Sequence, residues 1–165
     1  MKALKYTLFL AIAMIIACTK PPDYSNTPEI EFVSFSKTIL DQGPGFEDTT
    51  YLTISFTDGD GDIGGDTFNT IFFVDTRINN DFLKYAAPSI PEQGTGNGIS
   101  GEMTIQMFTS CCIHPDPNFA SLGCNAPFES TGVFFDTLIY EVYIRDRAGN
   151  KSNTILTEPL ILKCQ

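Results

Sequence analysis

YEVYIRDRAGNKSNTI, residues 140–155, is the stretch that decides the architecture. Tyr140, Val142 and Ile144 alternate with Glu141, Tyr143 and Arg145. That period of two puts one face of a strand on a core and the other in water. Asp146 to Asn150 then supply turn residues, Gly149 and Asn150 among them, and a second strand returns from about Ser152. The same period recurs upstream. In TTYLTISFT (49–57), Leu52, Ile54 and Phe56 share one face; in GEMTIQMF (101–108), Met103, Ile105 and Met107 do so. NTIFFVD (69–75) is apolar on both faces, which predicts a central strand. EIEFVSF (29–35) changes phase between Phe32 and Val33, which predicts a bulge or a strand that changes sheets. TILTEPLILKC (154–164) contains Pro159, which has no N–H for a central ladder and belongs at an edge or bulge. No segment of useful length carries helical period, so the expected class is all-β.

The stretch also resembles the last hairpin of fibronectin type III and related bacterial immunoglobulin-like domains. Those end in a Tyr-x-Val-x-Val strand, a turn containing Ala-Gly-Asn or similar, and a Ser-rich final strand. Tyr140, Val142 and Ile144 match the inward strand positions, and Ala148, Gly149 and Asn150 match the turn. The resemblance implies an antiparallel immunoglobulin-like β-sandwich, with Tyr140 as a corner tyrosine whose hydroxyl bonds back to the backbone. The match is confined to this hairpin; elsewhere the sandwich is inferred from strand count. The expected domain, 28–165, is longer than the roughly 100 residues usual for such a sandwich. The surplus falls in two long loop insertions, 79–100 and 110–132, and long loops on a rigid scaffold are where binding usually resides.

Ahead of the domain, MKALK is a basic start, YTLFLAIAM an apolar run and IIAC a small-residue close. The apolar run is too short to span a bilayer comfortably, and residues 1–17 read as a signal peptide. IIAC (15–18) resembles the lipobox of bacterial lipoproteins, which implies cleavage before Cys18 and lipid modification of that cysteine. Several acyl chains then hold the protein on the membrane, where one alone binds marginally. Thr19 stands where Asp favours inner-membrane retention, so the expected location is the outer membrane, facing the periplasm or the cell surface. Residues 18–27 read as a polar, proline-rich tether.

The 165-residue chain has formal net charge −10, and removal of the signal takes away Lys2 and Lys5 but no acid. So acidic a domain excludes nucleic acid and anionic headgroups as partners, since both need a basic face. Together, the export signal, acidic sandwich, DGDGD loop and cysteine-bearing insertion resemble small secreted lipoproteins of Bacteroidota; that resemblance implies a location and a fold and no particular activity.

Besides Cys18, the cysteines are Cys111, Cys112, Cys124 and Cys164. In an exported protein an even number reads as two disulfides. Adjacent cysteines rarely bond to each other, which leaves two pairings. Extending the Met103/Ile105/Met107 phase reaches Cys111, and extending Leu160/Leu162 reaches Cys164. Parity therefore favours Cys111–Cys164 with Cys112–Cys124. The donor types of Cys111, Cys112, His114 and Cys124 also fit zinc, but adjacent cysteines and an oxidising compartment argue against it. DPNFASLG (116–123) reads as a helical turn capped by Asp116, with Pro117 at its first position and Gly123 at its end.

FTDGDGDIGGD (56–66) concentrates Asp58, Asp60, Asp62 and Asp66 among glycines. The Asp-x-Asp-x-Asp spacing lets carboxylates converge on a hard cation, Ca²⁺ above all. Ile63 and Asn69 stand where an EF-hand needs Gly and Glu, so this is no EF-hand. Asp-Gly pairs are also strong turn formers in any solvated loop. Between the two readings the immunoglobulin-like topology adds a test: it places the final hairpin turn, with Asp146, at the same end as this loop. The expected set is Asp58, Asp60, Asp62, Asp66 and Asp146.

Catalysis finds little support. His114 is the single histidine, and neither a nucleophile elbow nor a metalloprotease motif is present. The expectation is a non-catalytic binding module for an extracellular glycan or protein, stabilised by calcium. The alternative is a structural or accessory subunit of an envelope or secretion complex.

Overall fold

The computed structural model describes residues 23–45, 47–64, 70–78, 80–88, 90 and 98–165. The signal peptide, Cys18 and Asp66 lie outside the described residues. Among the described residues there are ten strands: β1 (Glu29–Phe35), β2 (Ile39–Asp41), β3 (Thr49–Asp58), β4 (Ile71–Asp75), β5 (Asn80–Tyr85), β6 (Ile99–Phe108), β7 (Phe135–Leu138), β8 (Tyr140–Ile144), β9 (Ile155–Leu156) and β10 (Leu160–Lys163). Two one-turn helices, α1 (Pro117–Ala120) and α2 (Phe128–Thr131), lie between β6 and β7. Among the described residues no helix is long and apolar enough to cross a membrane.

The strands form three sheets, ordered β1-β3-β6, β5-β4-β8-β9 and β2-β10-β7. Every pairing is antiparallel except β2 with β10. β4 is central, between β5 and β8, as its two apolar faces predict. β1 carries its bulge between Phe32 and Ser34. Pro159 falls between β9, which pairs with β8, and β10, which pairs with β2 and β7. With no N–H to offer, it sits where the chain leaves one sheet for another.

Two elements differ from expectation. NDFLKY, read as part of a loop, is strand β5 on the edge beside β4; its Asn and Asp, which read as turn residues, mask it. The tether also ends earlier than expected. Gly59 N donates to Ser25 O at 2.7 Å, and a Cβ on Gly59 would strike Tyr24 O. The segment 24–26 is therefore laid on the acidic loop, and only glycine admits that approach.

The inner faces of all three sheets meet in one core, which includes Leu52 and Ile54 of β3, Phe73 of β4, Ile105 of β6, Val142 of β8 and Leu162 of β10. Strand ends break the apolar rule in a patterned way. Asp58 continues the buried phase Leu52, Ile54, Phe56 of β3, and Asp146 continues Tyr140, Val142, Ile144 of β8. At the other end, Asp75 continues Ile71 and Phe73 of β4, and Asp136 shares its phase with Leu138 of β7. Registers separate the two ends. β3 and β6 pair from Thr49–Phe108 to Asp58–Ile99, nine residue steps or roughly 30 Å. β4 and β8 pair from Asp75–Tyr140 to Ile71–Ile144.

The disulfides are Cys111–Cys124 and Cys112–Cys164. This corrects the predicted pairing of Cys111 with Cys164 and Cys112 with Cys124. The parity argument fails because β6 stops at Phe108, and beyond a strand end the phase no longer holds. Cys112, not Cys111, is fully buried, and it meets Cys164 in the core. Cys111 instead closes the local loop around α1. With all four cysteines bridged the zinc reading falls. His114 bonds Thr131 Oγ1 at 2.9 Å and accepts from Asp116 N at 3.0 Å, which makes it a structural tie between α2 and the start of α1. Asp116 caps α1 by accepting from Asn118 N, as predicted, but the helix ends at Ala120, ahead of Gly123.

Candidate metal centre

The β3–β4 connection and the β8–β9 turn meet, as the topology predicts. Arg147 N donates to Asp62 O at 3.3 Å, Arg147 Nε donates to the same oxygen at 3.0 Å, and Ala148 N donates to Asp62 Oδ2 at 3.0 Å. Gly64, with φ 84°, takes a backbone conformation that L side chains rarely adopt, and a Cβ there would run into Pro88 O. These constraints bring Asp58, Asp62 and Asp146 together, with one ligand-capable atom from each within 4.8 Å of the others.

Asp58 and Asp62 are each anchored by one oxygen and offer the other, while Asp146 is anchored by both. Asp58 Oδ2 accepts from Asp62 N at 2.9 Å, which turns the loop back on itself. Asp146 Oδ1 accepts from Asn150 N at 2.7 Å and its Oδ2 from Asn150 Nδ2 at 2.8 Å, so Asn150 orients it. Asp58 Oδ1 and Asp62 Oδ1 are buried and have no hydrogen-bond partner. A buried carboxylate oxygen without a partner carries a desolvation cost that a cation would remove. Asp58 has no exposed surface at all.

Electrostatics agrees with the geometry. Burial pushes the Asp58 carboxyl up to about 6, against one opposing hydrogen bond from Asp62 N, and the charges of Asp60, Asp62 and Asp146 push the same way. Burial, Asp146 and Asp60 raise Asp62 as well, while the bond from Ala148 and the charge of Arg147 oppose. Three carboxylates converge with one arginine beside them, so the cluster is short of positive charge. Hard oxygen donors, separations of this size and loop-borne ligands suit Ca²⁺, which accepts flexible shells of six to eight oxygens at 2.3–2.6 Å; Mg²⁺ demands a tighter octahedron. Three side chains would supply part of such a shell, and carbonyl oxygens or water would have to complete it.

Of the four predicted ligands among the described residues, then, the structure assembles three. Asp60 is not one of them: it is exposed on the turn and acts on the cluster by charge alone. Alternation explains the difference. Asp58 inherits the inward phase of β3, and two residues later the strand has ended and the side chain turns to solvent.

The sequence reading missed a second charged centre, at the far end of the molecule. Arg77 spends its whole guanidinium there. Nε and Nη2 bond Asp75, the latter at 2.6 Å; Nη1 bonds Asp136 Oδ2 at 2.6 Å and Cys111 O at 3.3 Å; Nη2 also reaches Ser110 Oγ at 3.0 Å. The available signal was an aspartate at the inward end of β4 with an arginine two residues on. Tyr140 also departs from expectation. No hydrogen bond from its hydroxyl to the backbone is present among the described residues, and the ring lines a cavity beside this network.

Comparison with protein-family models, with curated proteins and with solved structures finds no match to this chain.

Proposed function

We propose that the chain is an exported, lipid-anchored, non-catalytic binding module: an immunoglobulin-like β-sandwich fastened by Ca²⁺ at the end nearest its tether. The observation that carries this is the trio Asp58, Asp62 and Asp146, of which Asp58 and Asp146 are buried and Asp62 half-buried, with two carboxylate oxygens lacking partners beside the loop against which residues 24–26 lie. A cation there joins the loop after β3 to the turn after β8 and to the start of the domain, and it leaves the other pole free to face outward. The sandwich reading draws support from strand order. A β1-β3-β6 sheet facing β5-β4-β8-β9, with β2 running parallel to β10, is the arrangement that immunoglobulin-like connectivity produces. The lipid anchor rests on the lipobox-like IIAC and Cys18, and the outer-membrane location on Thr19, which stands where Asp favours inner-membrane retention.

Thermal unfolding tests the cation. Calcium at one hundred times its dissociation constant adds about 2.7 kcal/mol to a native state that alone binds it, and chelator removes that increment. Equal melting temperatures in calcium and in chelator reject the reading.

A second reading, the accessory subunit of an envelope complex, draws on the outer face of β2-β10-β7. Ile39, Ile161 and Phe135 share that face, and Ile39 and Phe135 are well exposed. Phe135→Ser would weaken a protein contact there while leaving the calcium response intact.

A further inference from the structure

The pole opposite the acidic cluster holds a cavity of about 670 Å³, within the 300–1,000 Å³ range of small-molecule sites. β4, β5 and β8 form one side and residues 108–113 another, with the loop Gly43–Gly45 at the rim. Cys111 and Cys112 both line it, so the two disulfides fasten that wall to the turn after α1 and to the end of β10. A wall tied in this way exists before any ligand arrives, which lowers the ordering cost of binding.

The chemistry of the lining narrows the occupant. Its charged groups are already spent, because Arg77 is shared between Asp75 and Asp136 and holds Ser110 Oγ and Cys111 O. Two carboxylates against one guanidinium leave the local balance negative, which repels an anion. Thr109 Oγ1 is also engaged, donating to Asp41 O at 2.7 Å. What the cavity offers unspent is apolar surface and phenol. Phe73 sits edge-on between the rings of Tyr85 and Tyr140, at centroid distances of 5.5 and 5.7 Å with planes at 82° in both pairs, and so fixes their orientation. Tyr140 is 2% exposed, and its hydroxyl has no hydrogen-bond partner among the described residues. Burial raises the pKa of both phenols, so each remains a neutral donor. This phenol lines the cavity and can donate to an atom of a bound molecule.

We propose that the cavity framed by Phe73, Leu83, Tyr85, Phe108, Ile113 and Tyr140 binds an uncharged, largely apolar small molecule that carries one hydrogen-bonding atom for Tyr140. This deepens the binding-module reading by naming its site and ligand class, and it does not depend on the cation. The Phe108 end of the cavity lies some 30 Å along β3 and β6 from Asp58. In a lipid-anchored protein that end faces away from the membrane.

The test uses the full chain, whose described residues hold both disulfides and the core. The probe is the neutral fluorophore phenylnaphthylamine, set against its sulfonated counterpart anilinonaphthalene sulfonate. The neutral dye should saturate one site, and the sulfonate should bind at least about tenfold more weakly. Ile78 lines the cavity and is 49% exposed, so Ile78→Arg places a charge at the rim without entering the core. It should weaken the neutral dye about tenfold. Tyr140→Phe removes only the unpartnered hydroxyl and should weaken it about fivefold. Melting curves for both variants verify folding. Absence of saturable binding, equal affinity for the sulfonate, or indifference of the neutral dye to both substitutions would overturn the proposal. None of those results would alter the calcium-dependent melting shift, so the two readings fail separately.

Discussion

The two ends of this molecule solve one problem in opposite ways. Each end places aspartates on the inward phase of its strands, at the edge of the core, where a carboxylate is costly. At the disulfide pole, Asp75 and Asp136 close on Arg77, and side-chain exposures of 11–18% show all three largely withdrawn from water. At the tether pole, Asp58, Asp62 and Asp146 converge beside Arg147, and two oxygens remain without partners. In the first cluster every carboxylate oxygen has a partner within the chain. In the second, two oxygens have none. Buried acidity alone therefore does not identify a metal site; the deciding observation is whether the chain supplies its own counter-charge.

The sharpest way to break the comparison is to remove the counter-charge where it exists. Arg77→Met leaves two partly buried carboxylates facing each other. It should cost about 3 kcal/mol, toward the low end for a broken buried pair because these groups retain some exposure. The check is the midpoint of urea unfolding. The triple change Asp75→Asn, Arg77→Met, Asp136→Asn should recover most of that loss, which a purely steric role for Arg77 would not allow.

The disulfides of the same pole come next. Cys112–Cys164 spans 52 residues and Cys111–Cys124 spans 13. On chain entropy alone, replacing the first pair with alanine should cost about 4 kcal/mol and the second about 3 kcal/mol. The first cost should grow further because Cys112 and Cys164 belong to the core. A larger loss from the short bridge would mean that it does more than close a loop.

Much of the fold was legible because it rests on alternation. The β3, β6 and β8 patterns, the bulge in β1 and the break at Pro159 all follow from a period of two and from the chemistry of proline. The convergence of Asp146 with Asp58 and Asp62 was legible from topology. What escaped lies where local pattern stops carrying information. Past Phe108 the phase of β6 lapsed, and with it the disulfide assignment. The exposure of Asp60 was lost for the same reason, two residues beyond the end of β3. The Arg77 network joins β4, β7 and the cysteine loop, and no spacing along the chain announces such a meeting.

At the tether pole the sign of an aspartate substitution should invert. Asp58→Asn removes one charge from a cluster short of cations, and the side-chain oxygen can still accept from Asp62 N. In chelator this variant should be more stable than the parent by about 1 kcal/mol, at the low end for relieving a buried unpaired charge. In calcium it should be less stable, because the ion has lost a ligand. Asp75→Asn at the other pole should destabilise in either solution. Equal behaviour of the two variants would erase the distinction between the poles.

The smallest effect is the same charge read by titration. Asp58 titrates at about 6 in the fold against an ordinary 3.8, so the folded state holds its proton more tightly than the unfolded chain does. A raised carboxyl contributes stability that is fully present below the unfolded value and is lost as pH rises through the folded one. In chelator the melting temperature should therefore fall by a few degrees between about pH 4 and pH 6.5, with Asp62 acting in the same direction. Asp48, which Lys37 holds below its usual range, works oppositely but below that window, as its stabilisation is lost on acidification. Calcium must displace the protons to bind, so in calcium the fall should shrink or reverse. The difference between the two curves isolates the acidic cluster. Parallel curves in calcium and chelator would mean that the three carboxylates, although gathered, hold no ion.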